Sequence, residues 1–199
     1  MLVDGYFQGV PSVWHKEIMY ALSRDVTVVG CSSMGALRAA ELCRYGMEGY
    51  GRIFVAYRDG FYEDDDEVAV VHGDAESGYR GISEPMVNIR YGLGLARRGG
   101  VISANLEEQL VRKAKAAFYA DRHWARVLAD AANTAGGEGG VDRLRRFLRE
   151  TDTNLKRADA IETLWRIANG DLEPCDTAED FTFEETYSFL ALQESESGC

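Results

Sequence analysis

The apolar positions near the start of the chain switch between two periods. Val26-Thr27-Val28-Val29 is a β-branched run short enough to be one buried strand. The small residues Gly30 to Ser33 make a turn, and Ala36 to Leu42 follow as strong helix formers with one apolar face. Upstream, Met1-Leu2-Val3 reads as a first strand, Asp4-Gly5 as its exit turn and Tyr6 to Val10 as a short loop. Pro11-Ser12 then starts a helix with Ser12 as its N-cap. Trp14, Ile18, Ala21 and Leu22 recur at helical spacing and predict that helix's core-facing side. Strand, helix and strand in this order form a βαβ unit, which crosses over right-handed with parallel strands.

Further along, Tyr45 to Gly51 is a glycine-punctuated loop, and Arg52 to Tyr57 fits either a helix or a strand. Arg58-Asp59-Gly60 is a turn, and Val68 to His72 after the acidic run Glu63-Asp64-Asp65-Asp66-Glu67 reads as a buried strand. Ser83-Glu84-Pro85 opens a helix whose stripe is Met86, Ile89 and Leu93, and which ends at Gly99-Gly100. One long helix is expected from Ala104 to Ala132, with Leu106, Leu110, Ala114, Ala117, Phe118, Trp124 and Leu128 on its apolar side. Gly136 to Gly140 reads as a linker and Val141 to Arg149 as a short helix. Asn154 to Ala168 is another, with Leu155, Ala158, Ile161, Leu164 and Trp165 buried and Gly170 ending it. A last helix falls within Phe181 to Leu192. The predicted fold is an α/β core over residues 1–100, a small parallel sheet with flanking helices built from Rossmann-like βαβ units. An all-helical C-terminal region, 101–199, follows it.

Composition adds limits to this picture. At 199 residues and 46% hydrophobic content, the chain can bury a core without metal or disulfide staples. No apolar run approaches the ~18 residues of a membrane span, and Met1 to Asp4 lacks the features of a secretory signal. Cys31, Cys43, Cys175 and Cys199 show no CxxC spacing, which speaks against a zinc site or a disulfide framework and for a reducing cytoplasm. The net charge is −11, and nine acidic residues with no Lys or Arg lie from Asp171 onward. Such an acidic body disfavours nucleic acid as a partner. Its acidic end solvates the tail or meets a basic patch on another protein.

The candidate chemistry gathers at the turn. A strand–turn–helix places Cys31-Ser32-Ser33-Met34-Gly35 at the carboxyl end of a sheet, where α/β folds build sites. Ser33 with Gly35 two residues on is close to a nucleophile elbow, with Cys31 in place of the first glycine. Read as a nucleophile, Ser33 would have the backbone amides of Met34 and Gly35 near its oxyanion; read structurally, it is an N-cap. Ser32 stands one position off that frame, and Cys31 reads as a nucleophile or a small core residue. A parallel βαβ crossover brings the first turn of the first helix to the same sheet edge. His15 would then lie near Ser33 as general base, with Lys16 as an alternative. His72 competes for that role, and His123 reads as structural. Asn88 and Arg90 suit either an anionic substrate or packing and ion pairing. The acidic run suits either a hard cation or solvated charge.

Several ordered motifs over residues 3–92 together resemble the TfuA-like family. They are Asp4-Gly5-Tyr6-Phe7, PSVWHKEI from Pro11, CSSMGALRAAEL from Cys31, Tyr45-Gly46-Met47, Gly51-Arg52-Ile53-Phe54, Tyr57-Arg58-Asp59-Gly60, Asp65-Asp66-Glu67-Val68-Ala69 and SEPMVNIR from Ser83. The resemblance implies an accessory role beside a YcaO enzyme, which activates peptide amides with ATP for backbone thioamidation. Such proteins act in ribosomal peptide natural-product clusters and in thioglycine formation. The implied activity is hydrolysis of a thiocarboxylated, ThiS-like sulfur carrier to release sulfide near YcaO, with no cofactor and no metal. A non-catalytic adaptor docking YcaO is the alternative. Ser33, His15 and Lys16 are the implied catalytic residues, and Asp4, Ser32, Asp65, Asn88 and Arg90 the substrate-binding ones. The partners implied are YcaO, the carrier and a precursor peptide, without a membrane; a homo-oligomer is left open. Relatives usually carry a further strand before the Asp-Gly-Tyr-Phe region, which implies either a shorter variant or an edge supplied by a neighbouring chain.

Overall fold

The computed structural model of the chain describes residues 1–5, 12–134, 138–173 and 179–196. The expected loop at Tyr6 to Val10, Pro11, the linker glycines Gly136 and Gly137, and both Cys175 and Cys199 lie outside the described residues. The chain forms two compact units, one from residues 1–59 with 162–199 and the other from residues 60–161. It is mixed α/β and rich in helix, with a small parallel sheet and flanking helices.

In the first unit, β1 (Val29–Cys31) pairs in parallel with β2 (Glu48–Tyr50), setting Gly30 opposite Gly49. On its other side Leu2 bridges Gly30, also in parallel, through Leu2 N–H to the Val29 carbonyl at 2.7 Å and Cys31 N–H to the Leu2 carbonyl at 3.2 Å. The strand β1 is thus central, but it starts three residues later than expected: Val26 is 51% exposed, and Gly30 and Cys31, expected in the turn, are strand residues. The helix α2 (Met34–Leu42) lies against it at unusually close range. A Cβ on Gly30 would stand 2.1 Å from the Gly35 carbonyl oxygen, and one on Gly35 would stand 2.0 Å from the Leu2 carbonyl oxygen. Both contacts are backbone and cannot yield by a rotamer change. Gly35→Ala is therefore expected to destabilise the fold by about 1–3 kcal/mol, the range for overpacking; urea unfolding checks it.

The same effect hid β2 from the sequence. Gly49 is a strand residue whose missing side chain admits the Phe54 ring, 2.2 Å from where a Cβ would be. Phe54 lies on α3 (Arg52–Arg58), which resolves the helix-or-strand ambiguity there as helix. The helix α1 is His15–Leu22 with Trp14 as N-cap, two residues later than expected. The Glu17 carboxylate accepts the Trp14 N–H at 2.6 Å, while the Ser12 hydroxyl faces Arg38 instead. Ile18 is buried, but Trp14 is 41% exposed and does not face the core. The helix α9 is Tyr187–Glu196. The helix and the segment leading into it pack on α1: the rings of Phe189 and Phe183 lie 5.2 and 5.4 Å from that of Tyr20.

In the second unit, α4 (Met86–Arg98), α5 (Ala104–Ala116), α6 (Trp124–Thr134) and α7 (Glu138–Glu150) bury one core that includes Ile89, Leu93, Leu110, Val127, Ala131 and Leu144. Glu138 to Gly140, expected in the linker, belong to the first turn of α7. The long helix expected from Ala104 to Ala132 is broken at 117–123. Of its expected apolar side Leu110 and Ala114 are buried, but Phe118 is 62% exposed. The break comes from Arg122, whose buried guanidinium donates to the carbonyls of Ala114 and Ala117 and so replaces the next helical turn. Val68 to His72 is not a strand; it follows a 3₁₀ turn (Asp65–Glu67), and only His72 forms an isolated bridge, to Gly81.

The helix α8 (Leu155–Asn169) ends at Gly170, which adopts φ 73°. Its buried positions are Leu155, Asp159 and Thr163, whereas Ile161, Leu164 and Trp165, expected inside, are 51%, 56% and 61% exposed. No helix among the described residues is long and apolar enough to cross a membrane.

Candidate functional site

The strand–turn–helix predicted around Ser33 is present. β1 ends at Cys31, and Ser32 turns the chain with φ 71°. That left-handed conformation costs a non-glycine residue roughly 1–2 kcal/mol, and such outliers gather at functional sites. Ser33 is the N-cap of α2 by backbone: its carbonyl accepts from the N–H of Ala36 at 3.0 Å and of Leu37 at 3.2 Å. Its hydroxyl does not cap. Ser33 is fully buried, and its Oγ finds no hydrogen-bond partner among the described residues. Buried polar groups are overwhelmingly paired, so this orphan calls for an explanation.

The amides around it are unequal. Ser33 N–H and Gly35 N–H both donate to the Val3 carbonyl, at 3.3 and 3.1 Å. The Gly35 amide, an expected oxyanion donor, is thus already engaged by main chain. The Met34 amide donates to no carbonyl among the described residues. Ser32 is buried beside them, and the Asp4 carboxylate accepts the N–H of Gly5 at 2.9 Å.

His15 and Lys16 have other partners. His15 Nε2 hydrogen-bonds Glu41 Oε2 at 2.8 Å. Glu41 follows Ser33 by eight positions on α2, about 12 Å along the axis at 1.5 Å per residue. The start of α1 therefore lies beside the last turns of α2, not its first, because the chain before Trp14 does not enter the helix at Ser12. Lys16 Nζ donates to the Glu184 carbonyl at 2.7 Å and sits 4.9 Å from the centre of the Phe183 ring. Sequence reasoning missed Arg38 and Glu41. Arg38 donates to the same Glu41 oxygen at 2.7 Å, to the Val13 carbonyl at 3.1 Å and to Ser12 Oγ at 3.3 Å. Their i, i+3 spacing within CSSMGALRAAEL was the available signal.

The remaining candidates belong to the second unit and form a network there. Arg90 grips the buried Glu67 carboxylate with two bonds of 2.9 Å. Lys115 pairs with Asp64 at 3.0 Å, Glu67 at 3.0 Å and Asp66, which also receives Arg122 at 2.5 Å. The acidic run is thereby an ion-paired turn held by three cations. Among the described residues no cluster of His, Cys, Asp or Glu is placed to hold a metal. Asp65 is exposed. Asn88 is buried; its Nδ2 donates to Glu84 at 2.8 Å, and its Oδ1 accepts the Lys156 N–H at 3.2 Å, in the first turn of α8. His123 starts α6, its carbonyl accepting from Arg126 and Val127.

Burial pushes the Glu84 carboxyl up, against the Asn88 bond that opposes it. A carboxyl raised in the fold favours the folded state below its unfolded pKa and loses that favour as pH rises through the folded value. Glu84→Gln keeps the acceptor for Asn88 and removes the charge. It is expected to raise Tm at pH 7 and to give no gain at acidic pH, where wild-type Glu84 is protonated; melts across pH check it.

The geometry is that of an α/β turn carrying a buried, unpaired serine at a helix start, within motifs spread over both units. No curated protein matches the chain. Residues 4–123, more than half of it, match the family described as TfuA-like protein, and the chain belongs to that family.

Proposed function

We propose that this TfuA-type accessory protein serves YcaO-dependent peptide backbone thioamidation by releasing sulfide from a thiocarboxylated, ThiS-like carrier. Ser33 is the nucleophile. Its oxygen attacks the thiocarboxylate carbon, the hydroxyl proton leaves to a base, and the C–S bond breaks to give an acyl-serine ester and hydrosulfide. Water then cleaves the ester, returning the serine and leaving a carboxylate on the carrier. His15 and Lys16 are the proposed bases, each on leaving the partner that holds it here, Glu41 and the Glu184 carbonyl, with the Met34 amide facing the oxyanion. The observation that supports this reading is the orphaned Ser33 hydroxyl, held behind the strained Ser32 at the start of α2.

A second reading, a non-catalytic adaptor for YcaO, is favoured by the full burial of Ser33 and by the bonds of His15 and Lys16 to other groups. Incubation with thiocarboxylated carrier and measurement of sulfide separates the two. Saturable release that falls in His15→Ala or Lys16→Ala supports the hydrolase. No release, with a reconstituted YcaO reaction still stimulated, supports the adaptor.

A further inference from the structure

The second unit carries a groove that the Ser33 chemistry does not use. It lies between α6 and α7, encloses about 570 Å³ and is walled by Trp124, Leu128, Val141 and Leu148. Its floor is Ala125, Ala129 and Ala132, all exposed and spaced i, i+4, i+7 along α6. At 1.5 Å per residue these alanines mark out about 10 Å, two turns of helix. Small side chains at this spacing let a third helix approach closely, as ridges enter grooves. The groove's charged members are Arg145 and Arg149, one turn apart on α7, and none of its lining residues is acidic. Arg145 shares an ion pair with Asp142 on its own helix, whereas Arg149 has no acidic partner among the described residues. In a chain of net charge −11, an apolar trough with one cationic wall is a specific departure.

We propose that the α6–α7 groove docks an acidic amphipathic helix of a partner protein. Its apolar residues at i, i+3 or i+4, and i+7 would lie over the alanine floor between Leu128 and Leu148, the helix-in-groove mode of recognition. Carboxylates along one flank would meet Arg145 and Arg149, fixing the direction of the helix as well as its partner. A basic helix of the same apolar pattern meets two guanidinium groups and is rejected.

Fluorescence anisotropy on the full chain tests this. The probes are a labelled peptide of about 16 residues, long enough to hold helix, with a leucine stripe flanked by glutamates, and its lysine-for-glutamate counterpart. The acidic peptide is expected to bind saturably and at least about tenfold more tightly than the basic one. Arg149→Glu should weaken it by about tenfold, Ala129→Trp, which fills an exposed floor position, should abolish it, and added salt should loosen it. Arg157→Glu, outside the groove, should leave it unchanged, and melting curves confirm that each variant is folded. No saturable binding, equal binding of both peptides, or wild-type binding by folded Ala129→Trp and Arg149→Glu overturns the proposal. Arg149-dependent binding to phosphatidylserine vesicles in place of the peptide also overturns it, assigning the surface to a lipid headgroup.

Discussion

Ser33→Ala is expected to abolish sulfide release while leaving the protein more stable than wild type. Loss of a catalytic nucleophile lowers turnover by at least about a thousandfold. At most N-caps the same substitution would also cost about 1 kcal/mol, because the hydroxyl accepts an amide hydrogen. Here the Ser33 hydroxyl accepts none among the described residues, so no such bond is lost with it. What disappears is the desolvation of an unpaired buried hydroxyl, roughly 1–3 kcal/mol, partly offset by lost packing. A rise of a few degrees in Tm follows for a chain of this size. The combination separates a group kept for chemistry from one kept for structure. Unchanged sulfide release would remove the serine from the mechanism, and a fall in Tm would mean that the hydroxyl has a structural role.

The second large effect belongs to Arg122→Met, which keeps much of the volume and removes the charge. The Arg122 side chain is 1% exposed. It donates to the carbonyls of Asp66, Ala114, Ala117 and Lys115 as well as to the Asp66 carboxylate. Without it, four carbonyls lose a donor and the Asp66 charge keeps only Lys115. Breaking one side of a buried pair costs roughly 3–5 kcal/mol, enough to unfold a marginal domain. The effect has a pH signature. Burial alone would raise the Asp66 carboxyl, but its bonds to Lys115 and Arg122 prevail and hold it below the usual range. A carboxyl depressed in the fold stabilises it above the unfolded pKa, and that gain is lost as pH falls through the folded value. Arg122→Met should therefore be more damaging at neutral pH than in acid, where the loss of the carbonyl bonds remains and the loss of the ion pair does not. Denaturant titrations at pH 7 and pH 3 check both parts.

What could be read from the sequence was what is local. Val26 to Leu42 shows the order strand, turn and helix through neighbours a few residues apart, and places Ser33 at the turn, but the strand's bounds are set by pairing with Leu2 and β2 and fall at Val29–Cys31. The sequence pattern could not show that the Ser33 hydroxyl lacks a partner, because that depends on what surrounds it. Gly49 was read as loop because glycine in isolation signals flexibility, yet its role is to admit Phe54. Helical periodicity ran unbroken through Ala117 to His123, since nothing local reveals that Arg122 is claimed by Asp66, 56 positions away. His15 was assigned to the sheet edge by an idealised crossover, and Glu41 holds it elsewhere. On α8 the apolar stripe was visible, but periodicity says which residues share a face and not which face a neighbour covers.

The chain's three indoles sit in different surroundings, which gives it an internal optical reporter. Trp14 and Trp165 are 41% and 61% exposed, whereas Trp124 is half-buried, its ring filling the space left by Gly92. Iodide will quench the first two more strongly than the third. The emission that remains is weighted toward the wall of the α6–α7 groove, so occupancy there can be followed without attaching a dye to the protein.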